Sequence, residues 1–286
     1  MGELTRCLNC GGDLHGPFCG SCGQRAVPPD PTVRELAGDA WNELTGYDGR
    51  IMATLRGLMR PGFLTHEYVT GRRKNYLPPV RIYLIVSVLY FLLAASAPDL
   101  DEDAQATNVA GPAGIRIGIT KTDGGSLTMT EDDRKEPLAE VERAPRYLRP
   151  MLRSVAEDPD GFRMRMFTIM PRVFFALLPV FAAIVYVFYH KHHFPTALVF
   201  AVHVHVFAFV AFIVADVFKF TYNETVATIA GVIILTLLVV YTLRSFRAVF
   251  GGSWPLTLAK ATGVAFLYAF ASIPAWIVTF VWASWR

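Results

Sequence analysis

The sequence predicts an all-α polytopic membrane protein of about five transmembrane helices, with a small N-terminal zinc ribbon and a mixed exoplasmic insertion. Three observations predict it. All four cysteines fall in the stretch 7–23, CLNCGGDLHGPFCGSCG. Hydrophobic residues make up 53% of the 286, and the mean hydropathy is +0.35. The second half of the chain is a series of apolar runs separated by short charged or glycine-containing loops. With 21 Phe and 11 Tyr, the composition also has the aromatic bias of membrane helices and their interfaces.

The ribbon comes first, over 1–25. Two Cys-x-x-Cys-Gly knuckles, Cys7/Cys10 and Cys19/Cys22, are separated by eight residues. Two residues between cysteines let a tight turn aim both sulfurs at one ion, and the following Gly11 and Gly23 let the backbone fold back around it. Four thiolates complete a tetrahedral shell for one Zn²⁺ and leave no position for substrate, so the site reads as structural. The 16 residues from Cys7 to Cys22 are too few for an apolar core, and the metal must supply the folding free energy. Two disulfides are the alternative; they need an oxidising compartment and leave the paired glycines unexplained.

Residues 26–79 read as a linker followed by amphipathic juxtamembrane helices. QRAVPPDP (24–31) is the linker. Thr32 can cap a helix that begins at Val33, with Val33, Leu36, Ala37, Ala40, Trp41 and Leu44 as its apolar stripe. A second helix is expected over 50–59 and a short third over 63–70, with Pro61-Gly62 between them. The two earlier helices are expected on the membrane surface or on the ribbon. Next comes GRRKNYLPPVRIY, in which Arg72, Arg73 and Lys74 sit beside Tyr76 ahead of an apolar run. This pattern fits lipid headgroup contact; it also fits ordinary positive-inside anchoring with no specific ligand.

Spans are expected at 80–97, 173–189, 196–218, 224–243 and 256–282. The insertion 98–170 contains IRIGITKTDGGSLTMT (115–130), which reads as a β-hairpin turning at Asp123-Gly124-Gly125, and an amphipathic helix near 138–155. Residues 162–170 are expected at the interface, and 244–254 as a basic loop. Lys191, Arg244, Arg247 and the Arg72–Lys74 run all fall on one side of a five-span chain. By the positive-inside rule that side is cytoplasmic, which places the N-terminus inside and the C-terminus outside an inner membrane. A reducing cytosol suits zinc-bound thiolates.

The third span, TALVFAVHVHVFAFVAFIVADVF, carries His203, His205 and Asp216. Ionisable residues at that depth face protein or a water-filled path. They form a candidate intramembrane polar site, read either as a relay or ligand site or as neutral packing histidines. His203 and His205 are about 200° apart on a helix and cannot chelate one metal as a pair. His190, His192 and His193 read as part of a basic interfacial loop. Net charge is +3, so no broad nucleic-acid surface is expected. None of the common nucleophile, phosphate-loop or metalloprotease motifs is present, and the reading leans away from an enzyme.

CGSCGQ (19–24), TLRGLMRPG (54–62), EYVTGRRKNYLPP (67–79) and LVFAVHVHVF (198–207) together resemble an uncharacterised bacterial membrane family, a domain of unknown function with an N-terminal four-cysteine zinc ribbon and a C-terminal multi-span region. Members often carry a further histidine where Ala197 stands here. The resemblance implies architecture and no activity. The expected partners are the lipid bilayer and a cytoplasmic protein docked through the ribbon; an oligomer is compatible with the sequence. A transporter, a channel or a regulator of one, working through the span-three polar residues, is the alternative.

Overall fold

The computed structural model describes residues 5–26, 50–96, 107–110, 116–119, 141, 145–146, 149–221 and 223–284. Its helices are α1 (Ile51–Leu58), α2 (Phe63–Val69), α3 (Pro79–Ser96), α4 (Arg149–Glu157), α5 (Pro159–Phe188), α6 (Phe194–Lys219), α7 (Glu224–Phe250) and α8 (Trp254–Ser284). Strands β1 (Thr107–Ala110) and β2 (Arg116–Ile119) lie between α3 and α4. The chain is a helical membrane protein: α5 to α8 are each long and apolar enough to cross a bilayer. The apolar helix α3 has 18 residues, which at about 1.5 Å each gives about 27 Å.

Several boundaries differ from expectation, each for a local reason. The interfacial stretch 162–170 and the second span are one helix. Asp158 caps it by accepting from the Gly161 N–H at 2.9 Å, and Pro159 opens it. Pro171 and Pro179 lie inside that helix, as prolines can in membrane helices. The basic loop expected over 244–254 is instead helix up to Phe250, because nothing breaks it before Gly251-Gly252. Strand β2 runs antiparallel to β1, which lies upstream of it. The Asp123-Gly124-Gly125 stretch and the helix expected from Val33 lie outside the described residues.

Helix α6 is the centre of the bundle. Phe209 packs at 5.7 Å from Tyr83 and 5.3 Å from Tyr90, both on α3, and 5.8 Å from Phe174 of α5. Phe200 meets Phe246 of α7 at 4.6 Å, and Phe207 stacks on Tyr241 of the same helix. Along α7 and α8 the residues that face away, among them Leu235, Leu237, Phe266, Phe270 and Ile277, are exposed and apolar, as a lipid-facing surface must be. Helices α5 and α8 also pair, with Trp276 edge-on to Phe174.

α1 and α2 form a wedge packed against the helices of the bundle. Leu58 and Leu64 belong to the same buried core as Phe200, Val206 and Phe246. The Tyr241 hydroxyl of α7 donates to the Leu58 carbonyl at 2.8 Å. Gly62, with φ +74°, makes the sharp turn between the two helices, and a Cβ there would meet the Ala248 Cβ of α7 at 2.8 Å. Only glycine provides both the conformation and the clearance. Exposed Arg244 and Arg247 mark the last turns of α7 as standing beyond the hydrocarbon, so the wedge fills the space between protruding helix ends. Thr54 closes the wedge: its hydroxyl donates to the Arg50 carbonyl and accepts from the Leu77 N–H, both at 2.8 Å.

Candidate metal centre and intramembrane polar site

The ribbon is two copies of one turn. Cys7 N–H donates to the Gly12 carbonyl and Gly11 N–H to the Cys7 carbonyl; twelve residues on, Cys19 N–H donates to Gln24 and Gly23 N–H to Cys19. Gly11 and Gly23 share the left-handed conformation, φ +74° and +68°. Each knuckle is closed by one bridge, Arg6 with Asp13 and Phe18 with Arg25. The two turns bring the four sulfurs within 4.8 Å of one another, with Cys7 to Cys22 and Cys10 to Cys19 each at 3.6 Å. A tetrahedron of thiolates about 2.3 Å from a zinc ion has edges of about 3.8 Å. The four cysteines fit such an ion and could hold it.

The electrostatics agree. Backbone N–H groups of Cys22 and Ser21 lower the Cys19 thiol to about 6. The Gly12 N–H lowers Cys10 too, but the neighbouring thiols of Cys19, Cys22 and Cys7, together with burial, push it up to about 12. Four sulfurs this close cannot all shed protons without a cation among them.

The repeat is broken at one position, and that position seats the ribbon. Where the first knuckle has Gly12, the second has Gln24, which is 6% exposed. Its amide nitrogen donates to the Gly71 carbonyl at 2.6 Å, and its oxygen accepts from the N–H groups of Arg73 and Lys74 at 3.2 and 3.1 Å. Leu8 of the first knuckle covers Gly71, where a Cβ would come within 2.5 Å of its Cδ1. The loop from α2 to α3 is thereby tied to the ribbon.

That loop holds the basic residues singled out for headgroup contact. Arg72 forms a two-pronged pair with Glu67, its Nε at 2.8 Å from Oε2, and the pairing raises the guanidinium further above its usual range. Arg73 lies over the Tyr68 ring at 4.6 Å and donates to the Tyr68 carbonyl. Lys74 is exposed beside Gly23. Tyr76 packs edge-on to Phe63 at 5.9 Å, and burial raises its phenol.

His203 and His205 meet different helices. The Nδ1 of His203 is 2.9 Å from the Thr65 hydroxyl of α2, deep in the wedge. The Nδ1 of His205 is 2.8 Å from the Ala201 carbonyl, which can only accept, so this nitrogen carries the proton. Nε2 then accepts from the Tyr268 hydroxyl of α8 at 3.2 Å. Phe181 packs edge-on to the same ring at 5.2 Å. Asp216 is apart from both, about 16 Å along α6 from His205, and pairs with Lys219 Nζ at 2.8 Å. Sequence reasoning missed Gln24, Thr65 and Tyr268. Only the Gly12/Gln24 difference between the knuckles was available as a signal.

A family described as protein of unknown function (DUF3667) matches residues 48–91, a stretch that spans α1, α2 and α3. The matched stretch is thus the wedge and the first apolar helix as far as Phe91, without the ribbon and without α6. No curated protein and no solved structure matches the chain.

Proposed function

We propose that the protein is a non-enzymatic adaptor anchored in the cytoplasmic membrane, whose Zn²⁺ ribbon is the docking module for a cytoplasmic protein. The observation that carries this reading is the Gln24 seat. Three hydrogen bonds to one buried side chain fix the ribbon's orientation on the wedge, while Phe18, in the bridge that closes the second knuckle, is 60% exposed. A module held rigidly with an exposed aromatic suits recognition; a closed four-thiolate shell does not suit catalysis. The cytoplasmic side is supported by Lys74, Lys191, Arg244 and Arg247 lying at the ribbon's end of the bundle. The test is a photo-crosslinking phenylalanine analogue at position 18 in native membranes. A discrete adduct is expected, and Cys19→Ser should abolish it. No adduct, or the same adduct in Cys19→Ser, would sink the reading.

Transport along His203, His205 and Asp216 has less behind it, since Thr65, Tyr268 and Lys219 already engage those side chains. A proton or ion flux in proteoliposomes that disappears in His205→Ala would put it first.

A further inference from the structure

At the ribbon's end of the bundle, a cavity of about 120 Å³ lies between the end of α5, the loop after it and the α7–α8 turn. Its cationic or titratable lining is Tyr189, His190, Lys191, His192 and Lys260, and no carboxylate lines it. Lys260 reaches it from six residues inside α8, with Nζ donating to the Phe188 carbonyl at 2.9 Å and lying 4.4 Å over the Tyr189 ring. An ammonium pulled toward a helix end in this way keeps its charge at the membrane boundary. Gly251 and Gly252, with φ +72° and +100°, wrap the backbone around the start of α8. In the first turn of that 31-residue helix Pro255 carries no N–H and the Thr257 N–H donates to the Ser253 carbonyl at 3.0 Å; Leu256 and Thr257 are the residues of the helix start that line the cavity.

Two buried polar atoms in this lining have no partner. Thr257 is 1% exposed and Tyr189 7% exposed, and neither hydroxyl makes a hydrogen bond. Thr257 Oγ1 faces the Gly252 side, 3.8 Å from where a Cβ would stand. Leaving two such groups unsatisfied is costly unless something else completes them. Two unpartnered donor hydroxyls and an ammonium, with no carboxylate beside them, together make a receptor for a tetrahedral oxyanion.

We propose that this cavity binds a phosphate group, presented either by an anionic phospholipid at the interface or as the free anion. The site is independent of the ribbon and of its partner. The test uses the full chain, metal-loaded, in non-ionic detergent, with phosphatidylglycerol, phosphatidylcholine and inorganic phosphate as probes. Native mass spectrometry reads retained lipid and calorimetry reads the free anion. Lys260→Met should weaken binding about tenfold, the loss of one charge-assisted hydrogen bond. Thr257→Val should weaken it about fivefold while leaving the thermal midpoint unchanged or raised, since it removes a hydroxyl that is unsatisfied in the free protein. Retention of phosphatidylglycerol over phosphatidylcholine, lost in the variants, assigns a lipid headgroup. Heat with phosphate and no lipid preference, lost in the variants, assigns the free anion. Neither signal in the wild-type chain, or wild-type affinity in whichever variant folds, overturns the proposal.

Discussion

The ribbon, residues 5–26, and helix α6, Phe194–Lys219, are segments of similar length held by opposite means. The ribbon has four sulfurs at its centre and almost no apolar interior; Cys7 and Cys19 are its buried hydrophobic residues. In helix α6, 56% of the most apolar 18-residue stretch is buried, against 11% for the corresponding stretch of each of α7 and α8. The four sulfurs of the ribbon could hold one metal ion, and such an ion would concentrate the stability there; α6 instead makes side-chain contacts with at least three helices. The wedge joins the two regimes, with Gln24 on the loop at one end and Thr65 against His203 at the other. Such a molecule can lose its ribbon without losing its bundle.

Metal removal should therefore have the largest local effect. Structural zinc contributes about 10–16 kcal/mol to a small site. Chelation or Cys19→Ser should remove all amide-exchange protection from residues 5–26 and leave α5 to α8 protected. Loss of protection throughout the bundle would break the contrast.

Phe200→Ala comes next. The side chain is fully buried between α6 and α7. In lipid the transfer term largely falls away and the cavity term remains, about 2 kcal/mol. Unfolding in mixed micelles should show that loss with the ribbon's metal content unchanged.

The two ends of the wedge should respond separately. Gln24→Ala frees the Arg73 and Lys74 amides, whose exchange should accelerate about tenfold, near 1.4 kcal/mol. His203→Ala leaves the Thr65 hydroxyl unsatisfied and should cost about 1 kcal/mol, with faster exchange in α2 and no change at Arg73. Equal acceleration at both ends in either variant would show that the wedge moves as one rigid unit. The smallest effect is expected from Leu235→Ala on the lipid face of α7, where the side chain is 58% exposed; the unfolding midpoint should shift by less than about 0.5 kcal/mol.

Local patterns were readable in advance. Cys7, Cys10, Cys19 and Cys22 could be paired from spacing because two-residue gaps constrain the sulfurs directly. The apolar runs could be read as helices because hydropathy is summed over neighbours. The ends of those helices were less legible: α7 continues through Arg244 and Arg247, whose charges look like a loop but are compatible with helix once the turns stand outside the hydrocarbon. Of the polar site, the identity and separation of His203 and His205 were legible, and their partners were not.

What the sequence determined by itself is the helical membrane architecture and the clustering of the four cysteines, since both arise from residues close in the chain. The tertiary structure alone decided that α1 and α2 are a wedge, that Gln24 seats the ribbon 47 residues away on Gly71, and that Thr65 reaches His203 across 138 residues. Contacts at such separations depend on which helix faces meet, and near-uniform apolarity around a membrane helix does not encode that choice.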